Sequence, residues 1–406
     1  MSTHRKFEQP QRGSRRTCAG RGTVAELSSK QLAIQSEIRE ICAQFDEDYW
    51  QDKDTRREYP EEFLKALLTS GWLGVLIPRE YGGKGLGIYE AAIIIEEIAA
   101  SGANAVSCHA QIYNVAMLLR YGSDELKQRY LPRIAAGEMR FLAFGLTEEA
   151  AGQDTTKIAT TARREGDVYV LNGRKNWLSR AQHSDLMLAV ARTTPLAEAP
   201  KKTHGLSAFL VELPVEGLHL KPVAAMFNIE TNEADLVDVR VPAENLVGEE
   251  GSAFRYILSG VNGDRIAASS AAIGDARWLI RHATQYANDR VVFDRPIGQN
   301  QSVQFPIAHA YAATEAASLM RFRAAEMYDR GEEPGPESNM SKLLSSEASW
   351  EAANAAMSTY GGAAFARSRG IERKFRETRL FLNAPGSNSL ILSYLSQHVL
   401  GMPRSF

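Results

Sequence analysis

Apolar residues recur at helical spacing in the first part of the chain. Between residues 27 and 45 they fall near one helical face, and Ser28 with Gln31 matches a capping box, so a helix is predicted to begin there. Pro60 predicts the start of another helix, because proline is favoured in the first helical turn. The almost wholly apolar stretch 89–100 predicts a helix buried inside a helical bundle.

The pattern changes after about Phe141. Short runs of alternating apolar and polar residues follow, each bounded by glycine, asparagine, proline or charged residues. These runs lie at 168–171, 186–191, 206–212 and 236–241, and they predict an antiparallel β unit. Helical periodicity then returns in segments at 251–290, 302–330, 338–360 and 390–400.

The order of helices, then strands, then helices predicts an α+β fold that is mostly α-helical, with the two kinds of element in separate layers. We expect an N-terminal helical domain at 25–140, a middle β domain at 141–248 and a helical bundle at 249–406, preceded by a disordered arm at 1–24. The sequence has no G-x-G-x-x-G run that would favour a doubly wound parallel sheet.

Bulk composition argues against several classes of function. The 47 basic and 49 acidic residues nearly cancel, which disfavours nucleic-acid and membrane binding. Cys18, Cys42 and Cys108 follow no metal-binding or disulfide spacing, so we expect reduced thiols, no metal and a cytoplasmic protein. The basic segment 1–23 leaves a mitochondrial matrix protein with a transit peptide as the alternative.

Two blocks of sequence carry the strongest functional signal. The stretch 144–154 reads FGLTEEAAGQD and the stretch 172–179 reads NGRKNWLS, with Trp177 30 residues after Thr147. In order and spacing they resemble the paired flavin-binding segments of the acyl-CoA dehydrogenase family. The resemblance implies FAD as cofactor, dehydrogenation of an acyl thioester, and a fold with an N-terminal helical domain, a middle β domain and a C-terminal four-helix bundle. It also implies an electron-transfer flavoprotein as electron acceptor and a homotetramer, with a homodimer as the alternative.

The same resemblance assigns roles around the flavin. It implies that Phe144, Leu146 and Thr147 line the cofactor, that Trp177 packs against the ring, and that Ser179 hydrogen-bonds near the hydride-accepting N5 atom. A flavin needs an apolar or aromatic wall on one face of its ring, with the other face left open to substrate. The alternative for Trp177 is a tryptophan packed in an ordinary β core.

A second run, YANDRVVFDRPI, ends at residue 297. It resembles the family segment that holds the pyrophosphate and adenine half of FAD in a neighbouring subunit, which implies that Arg290, Phe293 and Gln301 bind FAD. A guanidinium suits a diphosphate because its fork donates two parallel hydrogen bonds. Asp294 stands where the family usually has glycine, so weaker binding of the adenine end is expected. The alternative for Arg290 is a surface ion pair with a neighbouring aspartate.

Further cofactor positions are implied near the end of the chain. Gly361 and Gly362 resemble a glycine pair that lets the family backbone approach FAD closely. The alternative for these glycines is a helix C-cap, where glycine is common. Ser387 is the last cofactor position that the resemblance implies.

The usual catalytic carboxylate is missing from its expected position. Most family members carry a glutamate about nine residues after an R-D pair, and counting from Arg376 and Glu377 puts Pro385 there. Proline also lacks the backbone N–H that helps bind the thioester oxygen in the family. Some relatives carry the base on the first bundle helix immediately before an arginine, which makes Asp264, next to Arg265, the candidate base. The alternative is an Asp264 that only pairs with a nearby arginine.

Gln153 and Arg265 are the candidate substrate-binding residues. Gln153 replaces a serine that helps hold the pantetheine arm, so the carrier is either CoA or acyl carrier protein, whereas His109 is expected to be a packed side chain. The leading hypothesis is an FAD-dependent acyl-thioester α,β-dehydrogenase. Loss of the usual glutamate leaves a flavin-dependent monooxygenase or desulfinase on the same fold as an alternative. A non-catalytic acyl-carrier-binding scaffold is another.

Overall fold

Six helices form the first part of the computed structural model, which describes residues 27–404. The helices are α1 (Ser29–Cys42), α2 (Glu47–Arg56), α3 (Glu61–Thr69), α4 (Ile88–Ala100), α5 (Ala110–Tyr121) and α6 (Asp124–Ala135). Ser28 and Gln31 form the predicted capping box, and Pro60 precedes α3, so both predicted helix starts are confirmed. The apolar helix α4 is buried, as its composition predicts. The arm predicted at 1–24 lies outside the described residues.

An eight-stranded sheet forms the middle of the chain. Its strands are β1 (Ala143–Gly145), β2 (Thr161–Glu165), β3 (Val168–Ser179), β4 (Leu186–Arg192), β5 (Leu206–Glu212), β6 (Leu218–Pro222), β7 (Thr231–Pro242) and β8 (Leu246–Val247). The order is β6-β7-β3-β2-β4-β5-β8, with β1 beside β4. Most pairs are antiparallel as predicted, but β1 and β2 run parallel to β4. β3 and β7 are each 12 residues long, beyond the predicted runs, because polar residues on their exposed faces interrupt the apolar pattern.

Three long helices dominate the last part of the chain, and α4 packs against two of them. They are α7 (Ala253–Asp289), α8 (Gln301–Asp329) and α9 (Gly335–Tyr360), with a hairpin of β9 (Val291–Val292) and β10 (Arg295–Pro296) between α7 and α8. The fourth bundle element is split into α10 (Ile371–Thr378) and α11 (Asn388–Tyr394). Pro385 lacks an N–H, and Gly386 has a φ of 74°, so a continuous helix cannot pass through them. No helix in the described part of the chain is long and apolar enough to cross a membrane.

Buried ion pairs hold α4 against the bundle. The Nη2 atom of Arg321 lies 2.5 Å from Glu96 Oε2, and Arg277 Nε approaches the other carboxylate oxygen at 2.9 Å. At the first turn of α4, the Asp329 carboxylate accepts a hydrogen bond of 2.7 Å from the Ile88 N–H. These contacts join the N-terminal helices to the bundle.

Candidate functional site

The structure brings the two sequence blocks of the predicted flavin site into direct contact. The Asn176 N–H on β3 donates a hydrogen bond of 2.8 Å to the Thr147 carbonyl. One residue earlier, the buried Lys175 Nζ lies 2.7 Å from Glu148 Oε1 and 3.3 Å from the Leu146 carbonyl. Although burial opposes ionisation of Glu148, the Lys175 ammonium keeps the pKa of that carboxyl below its ordinary value. The segment around Thr147 is therefore fastened to β3 by a buried charge pair.

A β-bulge directs Trp177 out of the sheet. Lys175 pairs with Ala234 and Leu178 pairs with Asn232, so two residues of β3 oppose one residue of β7. Trp177 has a φ of 59° and an indole that is 62% exposed, whereas the neighbouring Leu178 is buried. The alternative of a packed core tryptophan is therefore wrong. A large exposed aromatic ring on a strained backbone is typical of a surface that a ligand covers.

Other implied flavin residues border the same region. Phe144 is half-buried in the middle of β1, with its ring centroid 6.3 Å from that of Tyr113 on α5. Ser179 is half-buried and ends β3, where it pairs with Thr231 of β7. Phe144 lies on β1, and Ser179 and the Trp177 bulge lie on β3, a strand in contact with β1.

The β9–β10 hairpin carries the predicted adenine-end residues. Its two loop residues, Phe293 and Asp294, have φ values of 52° and 61°, the left-handed conformation that two-residue hairpins require. Phe293 is 93% exposed, and Arg290 is exposed without an ion pair to any described residue. The alternative of an Arg290 ion pair is therefore wrong. Gln301 is exposed at the start of α8, so all three side chains are free to reach a ligand or a second subunit.

Gly361 is the C-cap residue that follows α9, and Gly362 comes next in the chain. Gly361 has a φ of 56° and a ψ of −131°, and its N–H caps the helix by donating to the Met357 carbonyl. Gly361 is therefore a helix C-cap, which confirms the alternative predicted for it. A Cβ placed on either glycine would meet no atom of the described chain within 4 Å. The space beside both residues is open to a molecule outside the chain.

Asp264 lies half-buried on α7, the helix against which α5 packs. It forms no hydrogen bond or salt bridge with any described residue. Burial raises the pKa of Asp264 to about 7, although three neighbouring cations oppose the rise. The cations are Arg265, Arg180 and Lys342.

The loop that holds Pro385 is bound by Lys342, one of these cations. Lys342 on α9 is buried, and its Nζ donates hydrogen bonds of 2.8 Å to the Gly386 carbonyl and 2.9 Å to Asn388 Oδ1. Arg265 Nη2 lies 3.7 Å from the point where a Cβ on Gly386 would stand. Lys342 therefore both holds the loop of Pro385 and acts electrostatically on Asp264.

Gln153 and Ser387 lie together at the rim. The Ser387 N–H approaches Gln153 Oε1 at 3.4 Å, and the Ser387 hydroxyl caps α11 by accepting from the Leu390 N–H. Gln153 is exposed, so it also remains open to an incoming carrier arm.

The structure adds residues that the sequence did not single out. Tyr113 on α5, Lys342 on α9 and Arg180, which follows β3, interact electrostatically with Asp264. His109 is buried as predicted, with its ring centroid 5.7 Å from that of Tyr113. No group of three metal-binding side chains occurs within residues 27–404.

Three family models match the chain in order. They are "Acyl-CoA dehydrogenase, N-terminal domain" at residues 28–138, "Acyl-CoA dehydrogenase, middle domain" at 143–239 and "Acyl-CoA dehydrogenase, C-terminal domain" at 251–400. Among curated proteins, the chain is similar to acyl-CoA dehydrogenase FadE12 of Mycobacterium tuberculosis. The two are 32% identical over 384 residues, which cover 93% of this chain and 98% of the relative.

Solved structures give the same result. The chain is similar to a glutaryl-coenzyme A dehydrogenase in complex with glutaryl-CoA, with 29% identity, a TM-score of 0.88, and coverage of 94% of this chain and 98% of that one. It is also similar to the FAD complex of PigA, with 26% identity, a TM-score of 0.85, and coverage of 93% and 99%.

Proposed function

The chain belongs to the acyl-CoA dehydrogenase family, and we propose that it uses FAD and Asp264 to oxidise an acyl thioester between its α and β carbons. The family is FAD-dependent, and acyl-CoA dehydrogenase is the activity for which its three domain models are named. The finer part of the proposal is the identity of the base, because residue 385 is proline and Asp264 is the candidate on α7.

The unpaired carboxylate of Asp264 carries the proposal. It lies on α7 under the influence of Arg265, Arg180 and Lys342, and no described residue forms a hydrogen bond or salt bridge with it. An aspartate left half-buried without a partner costs stability, so a functional role is the simplest reason to keep it there. A pKa of about 7 suits a general base, since such a group is part deprotonated at neutral pH and still binds a proton strongly.

Asp264 takes the α-proton of the bound thioester. Arg265 and Lys342 are held close by, and their charges favour the ionised form of the base before the proton moves. The same cations stabilise negative charge that develops on the thioester oxygen. Arg265 Nε is buried without a hydrogen-bond partner among the described residues, so it is free to donate to substrate.

The residues near Trp177 and the β9–β10 hairpin suit FAD. Trp177 offers an uncovered aromatic wall, Arg290 an unpaired guanidinium for the diphosphate, and Gly361 and Gly362 an open backbone. When bound, FAD supplies the acceptor for the hydride that leaves the β carbon. Thr147 and Ser179 supply hydrogen-bonding groups around it, with Phe144 and Leu146 lining the pocket.

Assembly with further copies completes the site in this proposal. Large apolar side chains remain exposed throughout the C-terminal helices, and such surface on one domain is typical of a subunit interface. The exposed side chains include Leu258, Phe293, Phe305, Leu319, Phe365 and Leu400. We propose a homotetramer in which Arg290, Phe293 and Gln301 contact the FAD of a neighbouring subunit. CoA is the proposed carrier and an electron-transfer flavoprotein the proposed electron acceptor.

Anaerobic mixing of the FAD-loaded protein with acyl-CoA thioesters tests this function. Bleaching of the flavin absorbance supports dehydrogenation, and Asp264→Asn is expected to retain FAD while slowing the bleaching by about 10²-fold or more. Asp48→Asn, at an exposed aspartate of α2, is the matched control and should bleach at the wild-type rate. Wild-type rates in Asp264→Asn would refute the base assignment.

The other hypotheses give different outcomes in the same experiment. Oxygen consumption that requires an added reductant, with no anaerobic bleaching, would indicate a monooxygenase. A colourless protein that does not take up added FAD would indicate a scaffold.

A further inference from the structure

Two tyrosine rings stack on each other where α7 and α9 end. Tyr286 lies in the last turn of α7, Tyr360 is the last residue of α9, and both side chains are half-buried. Their ring centroids are 4.0 Å apart, and the angle between the ring planes is 17°. The Tyr360 hydroxyl also donates a hydrogen bond of 3.4 Å to the His282 carbonyl on α7. Tyr360 therefore ties the end of α9 to the end of α7.

Each tyrosine adjoins residues of the proposed FAD site. The Tyr286 carbonyl accepts a hydrogen bond of 2.8 Å from the Arg290 N–H at the C-terminal end of α7. The Arg290 carbonyl in turn accepts a hydrogen bond of 2.9 Å from the Ile297 N–H, which closes the β9–β10 hairpin. On the other helix, Tyr360 comes directly before the glycine pair that begins at Gly361. The stacked rings therefore lie between the two groups of residues proposed to bind the cofactor.

The stack continues the packing between α7 and α9. Ala283 and Ala356 are buried in one apolar cluster, a single helical turn before Tyr286 and Tyr360 respectively. Small side chains of this kind allow two helices to pack closely. The residues just before Tyr360 line an open cleft toward the start of α8, so the end of α9 is supported from the α7 side. The stacked rings hold the two helices together next to the proposed FAD-binding residues.

We propose that Tyr286 and Tyr360 are positioning residues, which set the distance between Arg290 and the Gly361 backbone for the adenine half of FAD. The inference rests on the proposed function, because it assumes that both of these elements bind the cofactor. Stacked aromatic rings contribute a specific geometry in addition to apolar burial. A site whose two sides are already held at the right spacing loses less entropy when its ligand binds. The flavin ring is assigned to the region of Trp177, so the effect of the stack is confined to the adenine half.

Titration of the flavin-free protein with FAD and with FMN tests this inference. FMN keeps the flavin ring and one phosphate but lacks the adenosine, so the ratio of the two dissociation constants reports on the adenine half alone. Tyr286→Leu and Tyr360→Leu should each reduce the preference for FAD over FMN by about 10-fold, the upper range of what an aromatic pair contributes. A purely structural role would instead weaken both flavins equally and leave the ratio unchanged.

Further variants separate the stack from other effects. Tyr286→Phe keeps the ring and should keep the wild-type ratio, and the double leucine variant should lose no more than either single one, because one substitution already removes the stack. Phe375→Leu is the matched control, since Phe375 is a half-buried aromatic residue of α10 whose ring centroid lies 4.7 Å from that of Trp350. It should leave the ratio unchanged. If a leucine variant does not fold, Tyr286→His, with a smaller ring, should give a smaller fall in the ratio.

A wild-type protein that binds FMN as tightly as FAD would overturn the inference, and so would an unchanged ratio in every folded variant of Tyr286 and Tyr360. Size-exclusion chromatography provides a further check. A leucine variant that loses the wild-type assembly would also overturn it, because the tyrosines would then serve a subunit interface. Failure of the proposed function looks different: the protein binds neither flavin, or it binds FAD that no acyl-CoA thioester bleaches.

Discussion

Lys342 Nζ donates a hydrogen bond of 2.8 Å to the Gly386 carbonyl, which fixes the loop of Pro385 against α9. Burial lowers the pKa of this lysine to about 7, so the protein holds an amine in the interior at a cost in stability. We expect Lys342→Met, which keeps the length of the side chain, to leave the Gly386 carbonyl without its partner. The expected loss is about 1–3 kcal/mol in the free energy of unfolding, measured by denaturant titration.

The control for this prediction is Lys65→Met, at an exposed lysine of α3, which should change stability little. A second consequence is local: the loop at 384–388 should become more open to proteolysis or hydrogen exchange in Lys342→Met. Unchanged stability together with unchanged exchange in that loop would show that the lysine does not hold it.

The pKa of Asp264 predicts how activity depends on pH. Because the base must be ionised to accept a proton, the rate of flavin reduction should rise with pH and level off above about 7. Stopped-flow measurements from pH 5 to 9 would give the midpoint. A rate that does not change across this window would contradict the assignment of Asp264 as the base.

The raised pKa of Asp264 also predicts how the stability of the fold depends on pH. The pKa of Asp264 is raised in the folded state from its ordinary value of 3.8 to about 7, so the folded state holds a proton that the unfolded state releases. Its contribution is fully present below the unfolded pKa and is lost as pH rises through about 7. Asp264→Asn should therefore flatten the fall in stability between these two pH values, as seen in denaturant titrations at several pH values.

Asp294 lies in the loop of the β9–β10 hairpin, and the weaker FAD binding expected from it can be measured. Asp294 adopts a φ of 61°, a conformation that glycine takes freely and aspartate tolerates. Its carboxylate lies in the same short hairpin as Arg290, where it opposes the binding of a diphosphate. We expect Asp294→Gly and Asp294→Asn to bind FAD about 10-fold more tightly at low ionic strength, as measured by flavin titration.

Asparagine is the informative control in this pair, because it removes the charge while keeping a side chain that tolerates the same backbone conformation. If only the glycine variant gains affinity, backbone strain and not charge is responsible. No gain in either variant would mean that residue 294 does not influence the cofactor.

Local patterns were sufficient for much of the fold. The capping box at Ser28, the apolar helix α4 and the strand β5 depend on residues close in sequence, and each formed where predicted. The bulge that turns Trp177 outward could not be foreseen, because it depends on how β3 pairs with β7. The parallel pairing of β1 with β4 is likewise a long-range choice that alternation does not record.

Some residues of the candidate site were likewise predicted from the sequence, and others were found only in the structure. Thr147 and Trp177 were identified together because their blocks have a recognisable order, and the structure does bring these blocks into contact. Arg180, Tyr113 and Lys342 were missed because nothing near them in sequence distinguishes a buried cation or phenol from an exposed one. Their significance comes only from the elements that surround them.

Glu148 provides the last prediction, because its carboxylate fastens the Thr147 segment to the sheet. It accepts hydrogen bonds of 2.7 Å from both the Lys175 ammonium and the Ala159 N–H. Glu148→Gln leaves the buried Lys175 without a counter-ion, so a loss of about 3–5 kcal/mol in the free energy of unfolding is expected. The pKa of Glu148 is lowered in the folded state, so its contribution is present above the unfolded pKa and disappears as pH falls. The difference between wild type and variant should therefore shrink in acid, whereas Glu149→Gln, at the exposed neighbouring residue, should match the wild type at every pH.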